Sequence, residues 1–510
     1  MHTNGKAFAL VSLLAALALL LRLPTVVGAA VGRAPRVRAV VVVFDGLRPD
    51  YVIAKRMPNL YAFGASGVVS TAHHSLFPTV TRVNASALIT GAALGTHGVL
   101  DNIVYLPAVD STHTLNTGDA ADMMRADRAL GGQLLMVPTL PDLLGAQGKR
   151  VVVASAGSSG SAYLLGGAGR AISLQNELVL PQRFESMVRT MLGPPPVDAS
   201  PNLAANARAV DALLRIGIDS IDTDVGFLWL SDPDHTAHGA GVGSVMADSS
   251  IRAADREFRR LLQGLHDRGL EGQVDVFVVS DHGFSTHAGR DAPIGAVLAP
   301  FKDRIVVAGG AVYVRRGGDS TRRDVVRALQ AAAPIGAIFT KARGDGAATE
   351  AGTLPFDSIG CSNTRSGDVL FSADWWHARN TASMTGRTEQ AGTAGHGSSS
   401  PYDIKATMIA RGPHLRVAVR TRVASSNADI APTLLHLLGM PRAPSMTGRA
   451  LTELLRDGPG LASVRMMRDS LVAVTTLPAP SSLRYRVTAY RTRVGGTLYF
   501  DSTRTRRSPN

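Results

Sequence analysis

The sequence predicts an α/β fold: a doubly wound, mostly parallel sheet with helices on both faces, cap-like insertions and a C-terminal β-hairpin. Three observations lead there. Short runs of Val, Ile, Leu and Phe recur along the 510 residues at lengths suited to buried strands. Patterns of helical period lie between them, as alternating βαβ units require. Three of the runs end directly in acidic residues, and the carboxyl ends of parallel strands converge on one ligand-binding edge.

Taken in order, the opening "MHTNGKAFALVSLLAALALLLRLPTVVGAA" has a basic start at Lys6, an apolar run over 7–21 and small residues near Ala29. That layout predicts a signal peptide over 1–29 with cleavage near Ala29 or Ala30. The apolar run falls short of the ~20 residues that a membrane span needs. An exported chain, periplasmic or secreted, with no span in its mature part is expected. Cys361 is the single cysteine, so no intrachain disulfide staples the fold.

A catalytic domain is expected over 30–455. Its strands read as "VRAVVVVF" (37–44), "KRVVVASA" (149–156), "VGFLWL" (225–230), "VDVFVVS" (274–280) and "IKATMIA" (404–410), all taken as parallel. Helical patterns occupy 205–221 and 246–269. Residues 104–135 and 285–395 break the rhythm and read as insertions over the sheet. The pair Trp375–Trp376 falls in the second and reads as part of that insertion's own small core rather than as a base-stacking platform. An extension over 456–510 alternates polar and apolar residues around Gly495–Gly496, as a hairpin does.

The formal charge is +13, and loss of residues 1–29 with Lys6 and Arg22 leaves +11. A basic surface favours anionic partners, phosphate esters among them. The basic residues are scattered, and the terminal "RTRRSPN" reads as a solvated end. A small substrate is expected, without a stable nucleic-acid complex; the oligomeric state stays open.

The strand ends carry the chemistry. The first leads into Asp45, the third into Asp232 and Asp234, the fourth into Asp281–His282. His238 follows Asp234 by four residues, on one face of a helical turn. His396 lies in the glycine-rich "GTAGHGSSSPYD" before the last strand. Three carboxylates and three imidazoles form a mixed oxygen and nitrogen set that suits zinc, and also manganese or iron. Six ligands exceed one tetrahedral ion and suit two ions about 3.5–4 Å apart. His235, His287 and His377 read as bystanders.

The series "FDGLRPD", "PTVTRVNASALITG", "GTHGVLDN", "DPDHTAH", "SDHGF", "GHGSSSPYD" and "NADIAPTLLHLLGMPRAPSMTGRAL" resembles the alkaline phosphatase superfamily, and within it the type I phosphodiesterase/nucleotide pyrophosphatase branch. The likeness covers 37–110, 225–290 and 393–450, about two-fifths of the chain. It implies an alkaline-phosphatase-like fold and a nucleophilic threonine at a helix start, in a pattern T-x-x-N that Thr81 and Asn84 fit and Thr79 does not. A helix start stabilises an alkoxide and then a phosphorylated oxygen, and a metal can activate the hydroxyl. The resemblance further implies that Asp45, Asp281, His282 and Thr81 hold one zinc and Asp234, His238 and His396 the other. A phosphothreonine intermediate follows.

Asn84 is expected to donate to a phosphoryl oxygen, which suits a singly charged diester. Arg82 could face the phosphate, favouring monoesters, or turn away. The branch's T-F-P-N-H reads here Thr81-Arg82-Val83-Asn84-Ala85, and its acidic pair reads Ser231–Asp232, so nucleotide preference does not transfer. A sulfatase is disfavoured because "GCSNTR" around Cys361 lacks the C/S-x-P-x-R pattern. A phosphoglycerate mutase would use serine and stay in the cytosol. Phosphomonoesterase, phosphonate hydrolase and, outside enzymes, an inactive exported binding module are the alternatives.

Overall fold

The computed structural model describes residues 36–289, 294–479 and 481–509; the expected signal peptide lies outside the described residues. The central sheet contains β1 (Ala39–Phe44), β2 (Val68–His74), β3 (Val151–Ser155), β4 (Ile172–Gln175), β5 (Val179–Leu180), β6 (Val225–Leu230), β7 (Asp275–Val279), β8 (Lys405–Arg411), β9 (Val419–Thr421) and β10 (Ser425–Ser426). Their order is β9-β2-β8-β7-β1-β6-β3-β4-β5, with β10 also on β2. Strands β7, β1, β6, β3 and β4 run parallel.

Every residue of β1 is buried because helices cover both faces. Those helices include α1 (Pro58–Ala65), α2 (Thr81–Thr90), α3 (Leu203–Asp211), α4 (Asp234–Ala240), α5 (Val245–Asp267) and α6 (Ile430–Leu437). Val40, Val42 and Phe44 enter one core with Leu60 of α1 and Phe258 of α5. Val41 and Val43 enter the other with Leu88 of α2 and Leu434 of α6. The period of two along the strand therefore becomes two separate cores. Helix α3 continues through Ala212–Ile218 as a π-helix, so the helical pattern over 205–221 is less regular than expected.

One strand is corrected. β8 is antiparallel to both neighbours, β2 and β7. A buried run of apolar residues reads the same in either direction, so the sequence pattern could not distinguish them. The reversal matters: the loop entering β8 now lies at the edge where β1, β6 and β7 end.

Residues 104–135 contain helix Ala120–Ala129, whose Met123 and Ala126 enter the core of α2. Within 285–395, strands Ile305–Ala308, Ala311–Val314, Ile335–Thr340, Leu354–Pro355 and Val369–Ala373 form a five-stranded sheet. Its core, with Val312, Ile338 and Phe339, also takes in Phe77, Val80 and Val83 from the start of α2. Trp375 donates Nε1–H to the Thr503 carbonyl and carries the Arg504 guanidinium over its ring. It is anchored on the C-terminal sheet.

The C-terminal part is a three-stranded sheet of Met466–Thr476, Leu483–Val494 and Thr497–Pro509. The tail "RTRRSPN" is a strand up to Pro509, because Leu483 to Val494 offers it a full antiparallel ladder. Phe500 from this sheet packs tilted against Phe77 and edge-on against Phe339, with ring centroids 5.5 and 6.1 Å away. Among the described residues no helix is long and apolar enough to cross a membrane.

Phe500→Ala removes the ring that ties this sheet to the segment entering α2. A loss of about 3–5 kcal/mol of stability is expected, read by denaturant unfolding. A loss below about 1 kcal/mol would show the ring to be dispensable.

Candidate metal centre and active site

The turn after β1 places Asp45, and the next residue must be glycine. Gly46 has φ +67, and a Cβ there would lie 3.0 Å from Asp234 Cβ and from the Phe284 ring. Its N–H donates to Asp281 Oδ1 at 3.0 Å. Trp229 on β6 donates Nε1–H to Asp45 Oδ2 at 3.0 Å. Each of these carboxylates is thus held by one oxygen while the other is bare: Asp45 Oδ1 and Asp281 Oδ2 are buried without a hydrogen-bond donor, as is Asp234 Oδ1.

The three histidines are held in a matching way. His282 Nδ1 pairs with the Gly283 carbonyl at 2.9 Å, His238 Nδ1 with Ala394 O at 3.2 Å, and His396 Nδ1 with Thr79 O at 2.7 Å. A carbonyl can only accept, so Nδ1 carries a proton, and in its neutral, metal-binding form each imidazole presents a lone pair at Nε2. Those lone pairs meet the bare carboxylate oxygens. His282 Nε2 is 3.1 Å from Asp281 Oδ2 and 3.5 Å from Asp45 Oδ1. His238 and His396 Nε2 are each 3.3 Å from Asp234 Oδ1.

Two groups result, Asp45–Asp281–His282 and Asp234–His238–His396, each with ligand atoms within 4.8 Å of one another. The His282 and His396 rings stack at 3.5 Å, which sets the groups side by side. Acceptors facing acceptors in a buried space are what a cation resolves, and the imidazoles oriented through Nδ1 are what a metal requires. The donor set fits two divalent ions.

Thr81 joins this centre. It is the first residue of α2, with Val80 as a cap lacking any side-chain bond, so Thr81 is not the cap. Its Oγ1 lies 3.3 Å from His282 Nε2, and the side chain is almost fully buried. Thr79 has a different part: its hydroxyl donates to Ser398 O and accepts from Gly397 N, locking the loop that carries His396.

Asn84 is corrected. Its Nδ2 donates to Leu76 O and Val80 O, and its Oδ1 accepts from Leu76 N and from Asn427 Nδ2. With both amide hydrogens engaged and the side chain fully buried, it fixes the loop before α2 and has none left for a phosphoryl oxygen. Sequence reasoning passed over Asn102, though it ends the quoted "GTHGVLDN". Asn102 Oδ1 accepts the Arg82 N–H at 3.1 Å, one residue from Thr81, and its Nδ2 has no partner among the described residues. Arg82 donates Nη2–H to Ser158 Oγ, and its buried Nε is unpartnered. It lines a cavity of about 450 Å³ together with Thr81, Asp45 and Asp234.

His235 and His377 stay outside both groups, at Asp198 and at the Tyr402 hydroxyl. His287 is likewise outside, its Nδ1 on the Ala391 carbonyl. Cys361 is buried against Ser366 with its thiol pushed up to about 12 by burial. Asp232 is fully engaged: Oδ1 accepts from Thr236, and Oδ2 from Asn202 N and Asn206 Nδ2.

The electrostatics are those of an acidic buried site. Burial, then the charges of Asp281 and Asp234, pushes Asp45 well above the usual carboxylate range. Burial, reinforced by Asp234, pushes Asp281 up to about 7. Burial would raise Asp234 as well, but His238 and His396 outweigh it and hold it well below that range. Burial keeps His282 neutral, far below its usual value.

A sheet edge carrying two carboxylate–imidazole triplets and a helix-start hydroxyl defines a metallohydrolase-like site. Comparison with known proteins places the chain: the family model for type I phosphodiesterase / nucleotide pyrophosphatase matches residues 39–399, and the chain belongs to that family. Venom phosphodiesterase of Naja atra is 23% identical over 242 residues, 47% of this chain and 25% of that protein. Ectonucleotide pyrophosphatase/phosphodiesterase family member 3 of Mus musculus is 21% identical over 243 residues, 47% and 24%. The chain thus matches about a quarter of the length of these curated relatives. Murine ectonucleotide pyrophosphatase/phosphodiesterase 5, an inactive form in complex with AMP, shares the fold. Its TM-score is 0.58 at 19% identity, covering 82% of this chain and 100% of that one. The central sheet is accordingly of the alkaline-phosphatase type.

A divalent ion binds the deprotonated carboxylates, so uptake near neutral pH must displace the proton on Asp281, whose pKa is about 7. Apparent zinc affinity is expected to fall up to about tenfold per pH unit on going from about pH 8 to about pH 6. Competition with a chelating dye, in buffers that report proton release, measures this. An affinity flat over that range would contradict the assignment.

Proposed function

We propose that the protein is an exported two-metal hydrolase of phosphoric esters, a phosphodiesterase or nucleotide pyrophosphatase in class, with Thr81 as nucleophile. One observation carries the reading: a nearly buried hydroxyl at the first position of a helix, 3.3 Å from His282 Nε2 and beside both triplets. Family membership supports it. Asp45, Asp281, His282 and Thr81 would hold one ion, and Asp234, His238 and His396 the other. Such ions, zinc by their donor set, supply charge that lowers a hydroxyl pKa and neutralises phosphoryl oxygens.

Thr81 Oγ1 forms a bond to phosphorus as the bond to the leaving alcohol breaks, giving a phosphothreonine. Water then cleaves that ester and restores the hydroxyl. The positive dipole end of α2 favours the negative oxygen at each stage. Asn102 Nδ2, held one residue from Thr81, takes the place first given to Asn84 as donor to a non-bridging oxygen.

Arg82 favours a second reading, a phosphomonoesterase. Its guanidinium lines the same cavity with Nε unpartnered, and a dianionic monoester gains more from such a cation than a diester does.

Thr81→Ala is expected to reduce hydrolysis of bis-p-nitrophenyl phosphate by about 10⁴-fold or more while metal content stays at two ions per chain. Thr81→Ser should keep part of the rate. Unchanged turnover in Thr81→Ala would remove it as nucleophile. Faster turnover of p-nitrophenyl phosphate than of the diester by the unaltered protein would favour the monoesterase.

A further inference from the structure

The cavity that adjoins Thr81, Asp45 and Asp234 says what kind of alcohol the ester carries. Its volume of about 450 Å³ suits a group of sugar or nucleoside size. A nucleobase is ordinarily held by stacking on flat apolar side chains. Among the described residues no Phe, Tyr or Trp lines this cavity; its one aromatic ring is that of His235, 3.4 Å from Asp198 Oδ1, and Pro195 and Pro196 add only small apolar faces. Trp375 is engaged elsewhere, on the C-terminal sheet.

The walls instead offer polar groups: besides the Arg82 guanidinium they include the Ser158 and Ser161 hydroxyls, the carboxylates of Glu177 and Asp198 and the amide of Asn202. Asn202 is the most telling. It is 5% exposed, with its N–H on Asp232 Oδ2 at 2.9 Å and its Nδ2 on Ser231 Oγ at 3.1 Å. The first bond fixes the backbone and the second the amide orientation, yet Oδ1 is buried without a partner. A rigid, neutral, desolvated acceptor gains most from a hydroxyl donor and leaves a group without one unsatisfied.

We infer that this cavity seats a hydroxyl-rich, non-aromatic alcohol, a polyol or sugar, as one ester group of the substrate. The inference rests on the hydrolase reading above and narrows it away from nucleosides.

The test keeps the leaving group constant. Four p-nitrophenyl diesters are compared by kcat/KM, with glycerol, propanol, choline or thymidine as the second alcohol. The glyceryl ester is expected to exceed the propyl ester by about tenfold or more, the worth of one hydrogen bond to a buried acceptor, and to exceed the choline and thymidine esters. Asn202→Ala should bring the glyceryl-to-propyl ratio towards one, whereas Asn202→Asp, which keeps an acceptor, should preserve a preference. Because the ratio is taken within one preparation, loss of folded protein cancels. Equal rates for glyceryl and propyl esters, a thymidine or choline preference, or an unchanged ratio in Asn202→Ala would each overturn the inference and leave the hydrolase standing. Failure to turn over all four esters would overturn the hydrolase reading itself.

Discussion

Everything at the sheet edge is arranged around a repulsion. Asp45 Oδ1, Asp234 Oδ1 and Asp281 Oδ2 are buried without donors, and three imidazole lone pairs point at them. At an effective dielectric constant of about 20, two unit charges 4 Å apart oppose each other by roughly 4 kcal/mol. A fold that tolerates this without a cation does so by raising Asp45 and Asp281, keeping a proton where a metal would sit. The same crowding that burdens the metal-free protein would be the source of affinity for a cation. The gripped oxygens, on Gly46 N–H and Trp229 Nε1–H, keep the bare ones aimed at the shared space.

The scaffold meets that demand through strand direction. Asp45, Asp234 and Asp281 follow β1, β6 and β7, which are parallel, so their carboxylates share an edge. His396 precedes its strand, and only because β8 is reversed does its loop reach the same edge. Thr79 then links the two ends of the site. Its carbonyl orients His396 and its hydroxyl fixes the next residues, while two positions on Thr81 opens α2. A displacement of this short segment would move the hydroxyl and one imidazole together.

What was legible in the sequence follows from how local each signal is. An acid that ends a buried strand is visible from the run before it, so Asp45, Asp234 and Asp281 could be read, and His238 by its spacing. The direction of β8 was not legible, since alternation and burial carry no sign of polarity. Nor was the choice between Asn84 and Asn102: sequence proximity to Thr81 favours Asn84, and only the loop Leu76–Val80, which consumes its amide, leaves the role to the more distant Asn102. The five-stranded sheet within 285–395 was hidden because runs such as "AVYV" sit among Gly and Arg. Their burial comes from the segment before α2 and from Phe500, far away in the chain.

The reacting end and the selecting end of the site come from different segments. Metal-facing groups stand on turns after central strands, whereas the cavity walls come from the turn after β4 and the loop leading into α3. Asp232 joins the two. One of its oxygens accepts from Asn202 N and Asn206 Nδ2, and the other accepts from Thr236 inside α4, the helix that carries Asp234 and His238. Asn202 is therefore registered to the metal triplet through a single buried carboxylate. Glu177 and Asp198 are exposed, and Asp198 meets α4 only through the ring of His235, 3.4 Å from its Oδ1. Selectivity built on Asn202 is rigid because of the buried Asp232, and selectivity built on the two exposed carboxylates is adaptable.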